Sequence, residues 1–113
     1  LWSTGTMGRA VKEHGLVVAG AAGPVLVTGC AHPGIDRMAR RAARIAGTSL
    51  RLALGGFHLE GTSEEQLARV IRGLKETAQS VAPGHCTGKA ATAALTAEFP
   101  GTSPLSVGTE IAL

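Results

Sequence analysis

Three short stretches of this sequence carry the residue types that bind metals or act as nucleophiles. The first is Thr28-Gly29-Cys30-Ala31-His32-Pro33-Gly34, which follows the apolar run Val25-Leu26-Val27. The second is Gly55-Gly56-Phe57-His58-Leu59, and the third is Pro83-Gly84-His85-Cys86-Thr87-Gly88. In each, the reactive residue stands where a strand-like run gives way to a turn or a helix. In an extended segment, residues i and i+2 point to the same side. Cys30 and His32 can therefore present a thiolate and an imidazole to one point, and zinc and iron favour those donors. Three of the four histidines and both cysteines fall at such strand ends. That clustering points to a metal centre built from Cys30, His32, His58 and His85. His14 precedes the first strand and reads as a surface or hydrogen-bonding residue.

Cysteine chemistry is the competing reading. Cys30 or Cys86 could act as a nucleophile with a neighbouring histidine as base. Cys86 precedes a helix start, where the helix dipole lowers a thiol's pKa. A Cys30–Cys86 disulfide is a third arrangement, disfavoured in a reducing cytoplasm. The run from Gly84 to Lys89 superficially resembles a phosphate-binding P-loop. It fails on spacing, because three residues rather than four separate its glycines, and Ala90 stands where Ser or Thr belongs. An NTPase is therefore discounted. Backbone N–H groups at Thr87 and Gly88 could still hold an anionic substrate group at a helix start, although the same small residues suit a plain turn. Carboxylates are sparse, with Asp36 and Glu60 the nearest in sequence. Three histidines and a cysteine can complete one metal and look insufficient for two.

The elements that must position these loops alternate in type. Residues 1–14 are polar and glycine-rich and read as an irregular lead-in. Residues 15–19 and 25–28 read as two strands of a hairpin joined by a Gly/Pro turn. Residues 34–46 show Ile35, Met38, Ala39, Ala42 and Ile45 at helical spacing, with Gly47 as the stop. A strand over 50–54 follows. Thr62 with Glu65, or Ser63 with Gln66, forms a capping box ahead of a helix facing inward through Leu67, Val70, Ile71 and Leu74. A short strand near 80–82 leads to a third helix over 88–98, with Thr87 as its cap. Residues 106–113 read as a last strand. The order β-β-α-β-α-β-α-β predicts an α/β fold, a mixed sheet with helices packed on one face. Ligands in such sheets collect beyond the strand ends.

Size and composition bound the rest. At 113 residues the chain is a single domain or part of one, with a core of Ala, Val, Leu and Ile, since only 3% of residues are aromatic. The net charge of +3 owes much to Arg37, Arg40, Arg41 and Arg44 on one helix stripe. A solvated face explains them better than a nucleic-acid surface, because no aromatic residues interleave with them. Two cysteines make no disulfide framework, and no signal segment or membrane-length apolar run is present. The expected compartment is the cytoplasm.

Taken together, the three motifs resemble the C-terminal half of metallo-β-lactamase-fold metal-dependent hydrolases. The similarity runs over roughly residues 12–113. It is strongest to the subgroup related to the methanopterin-pathway dihydropterin phosphate synthase, whose closing strand residues 106–111 also resemble. This implies one half of an αββα sandwich, with one or two metals at its edge, zinc above all and iron or manganese as alternatives. It implies hydrolysis by a metal-bound hydroxide. By position, His85 matches the family's last metal-binding histidine. Cys30 stands where most members place a bridging aspartate. His32 belongs to the subgroup's version of that motif, and His58 is characteristic of the subgroup. The family's main motif, His-x-His-x-Asp-His, lies in the N-terminal half and does not occur here. The expectation is thus the C-terminal portion of a hydrolase, inactive alone. Its substrate would be a small molecule, phosphorylated or not, and its partner the other half or a second copy. The alternative is a non-catalytic binding module whose open apolar face drives dimerisation.

Overall fold

A computed structural model describes all residues 1–113. The hairpin forms as the sequence predicts. Strands β2 (Leu16–Gly20) and β3 (Gly23–Val27) pair antiparallel, with Leu16 opposite Val27 and Gly20 opposite Gly23. Two crossover units then extend the sheet in parallel. Helix α1 (Ile35–Ala46) links β3 to β4 (Leu50–Gly56), and α2 (Glu64–Lys75) links β4 to β5 (Ala78–Gly84). A short 3-10 turn over His85–Thr87 precedes α3 (Lys89–Glu98).

The lead-in is not irregular throughout. Trp2–Ser3 is an edge strand, β1, antiparallel to β2, and the sheet order is β1-β2-β3-β4-β5. Thr4 secures it: its N–H donates to the Gly15 carbonyl and its hydroxyl accepts from the Gly15 N–H at 2.8 Å. The expected strand over 106–113 does not form. Leu105 donates one hydrogen bond to the Pro83 carbonyl, and the chain then turns between Ser106 and Thr109, with Gly108 at φ 87°. A proline at 104 and a left-handed glycine at 108 leave too few consecutive extended residues for a ladder.

Alternation along each strand sorts the sheet's two faces. Leu26, Ala53 and Val81 face the helices, where they meet Ile35, Met38 and Ala42 of α1, Ile71 and Leu74 of α2, and Leu95 of α3. Val25, Leu52 and Ala82 face the other way, covered by Leu105 and Ile111 of the irregular C-terminal segment. All three helices therefore pack on one face, as the pattern predicts. Helix ends follow local chemistry. Ser63 caps α2 by accepting from the Gln66 N–H at 3.3 Å, so the second of the two possible capping boxes supplies the start. Gly47 ends α1 in the left-handed region. Helix α3 starts at Gly88 without a side-chain cap, so Thr87 does not serve as one. The arginine stripe of α1 is exposed, with Arg40 near Glu76 and Arg41 donating to the Thr4 carbonyl.

Candidate metal centre

Parallel pairing brings the C-terminal ends of β3, β4 and β5 to one edge of the sheet, and the three motif loops follow directly from them. The loops are fastened to one another. Thr28 donates through its N–H to Leu54 and through its hydroxyl to the Leu54 and Gly56 carbonyls, while Gly56 N–H donates to Gly29. Thr87 ties the second loop to the third, because its hydroxyl accepts from Phe57 N–H at 3.2 Å and donates to the Gly84 carbonyl at 2.7 Å. The Cys86 thiol points back at the first loop, with Sγ 3.6 Å from the Cys30 carbonyl. Ala31, His58 and His85 sit at φ 58°, 48° and 49°, conformations that cost energy in non-glycine residues and gather at functional loops.

Two groups of donor atoms result, and they share Cys30. In one, the donors of Cys30, His85 and Cys86 lie within 4.8 Å of one another, and in the other those of Glu13, Cys30 and His32 do. The second group is occupied by its own hydrogen bonds. Glu13 Oε1 accepts from Cys30 N–H at 3.2 Å, and Oε2 accepts from the His32 N–H and faces His32 Nδ1 at 3.0 Å. Burial alone would raise the Glu13 carboxyl. The backbone and ring hydrogen bonds of His32, the N–H of Cys30 and the His32 charge outweigh it and hold the carboxyl below its ordinary range. In the neutral tautomer that donates Nδ1–H to Glu13, His32 presents Nε2 as its lone-pair donor. The Cys30 thiol is pushed above its ordinary range, first by its hydrogen bond with Cys86, then by burial and the neighbouring charges of Cys86 and Glu13.

The first group has free donor capacity and fits a metal of borderline softness. Thiolate and imidazole bind zinc at about 2.3 and 2.0 Å, so tetrahedral ligands stand roughly 3.5 Å apart. Separations up to 4.8 Å lie within side-chain rotation of that spacing. Gly56 makes the room: a Cβ there would lie 2.9 Å from Cys86 Sγ, 3.1 Å from Cys30 Cα and 2.6 Å from the Gly29 carbonyl oxygen.

Of the expected residues, Cys30, His32 and His85 thus reach the common edge. His58 reaches it but joins neither donor group. Its ring lies against that of His32 at 4.3 Å between centroids, and its backbone sits in the left-handed region. Thr87 is 1% exposed, and its hydroxyl is used twice inside the fold, so its side chain holds loops together. Thr87 and Gly88 both line a shallow cleft of about 470 Å³ with His85 and Lys89. Glu60 lines that same cleft and lies in neither donor group. Sequence reasoning missed Glu13. Its signal was the hairpin register: continuing the Leu16–Val27 pairing outward brings residue 13 opposite residue 30. A second cleft, of about 480 Å³, is lined by His32, Arg37, His58, Gln66 and Arg69. The larger groove between α2 and α3 contains none of the donors.

No family model matches the chain. A solved structure described as a metal-dependent hydrolase of the beta-lactamase superfamily superposes with a TM-score of 0.81 at 31% identity, over 90% of this chain and 41% of that one. At the level of fold, the chain matches one half of a metal-dependent hydrolase of the beta-lactamase superfamily. Among curated sequences it is 37% identical over 78 residues to the 7,8-dihydropterin-6-methyl-4-(beta-D-ribofuranosyl)-aminobenzene-5'-phosphate synthase of Methanocaldococcus jannaschii, 67% of this chain and 26% of that protein. An uncharacterised protein of the same organism is 36% identical over 64 residues, 57% of this chain and 24% of its own length. The chain therefore spans about a quarter of these curated relatives. The resemblance read from the three motifs, subgroup included, is thereby shown. No helix is long and apolar enough to cross a membrane.

Proposed function

We propose that this chain supplies one wall of a zinc-dependent hydrolase centre. Cys30 and His85 hold the metal, and the His-x-His-x-Asp-His half provides the remaining ligands, so that the chain does not hydrolyse substrate alone. The observation that carries this reading is the convergence of Cys30 and His85 at the strand edge of a fold similar to a metal-dependent hydrolase. When bound, the ion supplies Lewis acidity toward water and toward an electrophilic substrate group. Glu13 orients His32 and fixes its tautomer, and His32 Nε2 is then placed to accept a proton at the same edge. The substrate is a small anionic molecule lodged in the cleft between His32, His58, Arg37 and Arg69. Neither arginine is ion-paired, and the synthase relative is named for a phosphate ester. The two free thiols suit the reducing cytoplasm.

The test is reconstitution with a His-x-His-x-Asp-His half. We expect zinc-dependent hydrolysis in the reconstituted protein only, with zinc stoichiometry reduced in Cys30→Ser and His85→Ala. Unchanged stoichiometry in both variants removes these residues from the centre. A second reading, a binding module that pairs through its sheet, is favoured by the face opposite the helices, where Leu16 of β2 is 39% exposed.

A further inference from the structure

By sequence Cys86 could serve as a nucleophile, but the fold gives it a different setting. Its sulfur belongs to a half-buried residue. It lies against the Cys30 carbonyl and over Gly56, in a space that any side chain at position 56 would fill. Its donor atom belongs to the same group as those of Cys30 and His85. A nucleophile needs an open approach for its electrophile. A metal donor needs convergence with other donors, which is what Cys86 has.

We propose that Cys86 is a metal ligand, and that Cys30, His85 and Cys86 form a three-donor set which binds zinc on this half without the other. The proposal rests on the reading of Cys30 and His85 above and adds to it a third protein donor and a capacity for autonomous binding. The fourth tetrahedral position is left to a donor from outside the set. Binding replaces two S–H protons by sulfur–metal bonds and releases both protons to buffer, with no change of oxidation state.

The geometry separates this set from the Glu13–His32 pair. Both oxygens of Glu13 and Nδ1 of His32 are already in hydrogen bonds. The Cys30, His85 and Cys86 set holds only weak thiol contacts, the one between the two sulfurs and that of Cys86 with the Cys30 carbonyl at 3.6 Å, which metal binding would replace.

The experiment is titration of the reduced chain with cobalt(II) as a spectroscopic stand-in for zinc, followed by displacement with zinc. The readouts are equilibrium dialysis and the thiolate-to-cobalt charge-transfer band, whose intensity counts bound thiolates. We expect one ion per chain with a two-thiolate band. Cys86→Ser and Cys30→Ser should each lose about half of the band. His85→Asn, which tolerates the left-handed backbone, should keep the two-thiolate band and weaken binding by more than about a hundredfold, beyond the 10–100-fold typical of residues that only orient ligands. Circular dichroism confirms that each variant is folded. A Cys86→Ser chain with the full band and unchanged affinity overturns the assignment of Cys86, while loss of binding in Cys30→Ser would leave the earlier reading standing. A wild-type chain that binds no ion alone, yet binds when reconstituted, overturns autonomous binding only. No effect from any of the three variants overturns both readings.

Discussion

The carboxylate of Glu13 accepts three hydrogen bonds, all from the loop after β3. Its folded-state pKa is depressed, so its contribution to stability is present above the ordinary carboxylate pKa and lost as pH falls through the folded value. Thermal melts taken from neutral pH down to about pH 3 should therefore show an acid-side loss of stability that Glu13→Gln reduces. An identical acid limb in the variant would mean that Glu13 does not anchor this loop. Thr87 allows an equally direct test. Removing its hydroxyl at constant shape, in Thr87→Val, leaves Phe57 N–H and the Gly84 carbonyl unpaired. We expect a loss of about 1–3 kcal/mol in denaturant unfolding, the cost of buried groups left without partners. A threonine whose hydroxyl bound substrate would instead leave stability unchanged and raise KM in the protein reconstituted with the other half.

At the scale of elements, the two glycines Gly56 and Gly47 separate packing from backbone conformation. Gly47 lies at φ 70° with nothing within 4 Å of where a Cβ would stand, so Gly47→Ala carries conformational strain alone, about 1 kcal/mol. Gly56 has an ordinary φ but no space, and Gly56→Ala forces the Cys86 sulfur and the Gly29 carbonyl apart from the β4 end. Unfolding and cobalt titration together should show Gly47→Ala slightly less stable with metal binding intact, and Gly56→Ala impaired in metal binding beyond any loss of stability. Much of this scaffold is legible in the sequence. Ile35, Met38 and Ala42 recur at helical spacing and Val25-Leu26-Val27 is continuously apolar, so α1 and β3 follow from burial periodicity. The placement of Cys30 and His85 at one edge follows from parallel pairing. What is not legible depends on tertiary partners. Trp2–Ser3 becomes a strand because Thr4 is locked to Gly15, eleven residues away. Residues 106–113 look extended but lie across the second face of the sheet, held by Leu105, Ile111 and an Arg51 hydrogen bond to the Ala112 carbonyl. The Thr87 hydroxyl suits a local cap by its position in the sequence, whereas its partner is Phe57, thirty residues upstream.

At the scale of the molecule, the sheet has one face filled by three helices and one covered only in part. Leu16 and Val18 of β2 stand beside Val27 and Val25 of β3 on that second face, and the C-terminal segment reaches Val25, Leu52 and Ala82 through Leu105 and Ile111. The chain matches 41% of a hydrolase chain with the same fold, and we propose that the uncovered stripe is a surface on which a complementary half packs. Leu16→Lys tests this cleanly, because a residue 39% exposed and outside the helix-side core should change the chain's own stability by no more than about 0.5 kcal/mol. We expect the substitution to weaken association with a His-x-His-x-Asp-His half by about tenfold or more, since a buried lysine at an apolar contact is desolvated without a partner. Sedimentation of the chain alone distinguishes the second reading: a wild-type dimer converted to monomer by Leu16→Lys would show that two copies pair through this face. A wild-type monomer whose association with the other half is untouched by the substitution would show that the sheet's second face takes no part in assembly.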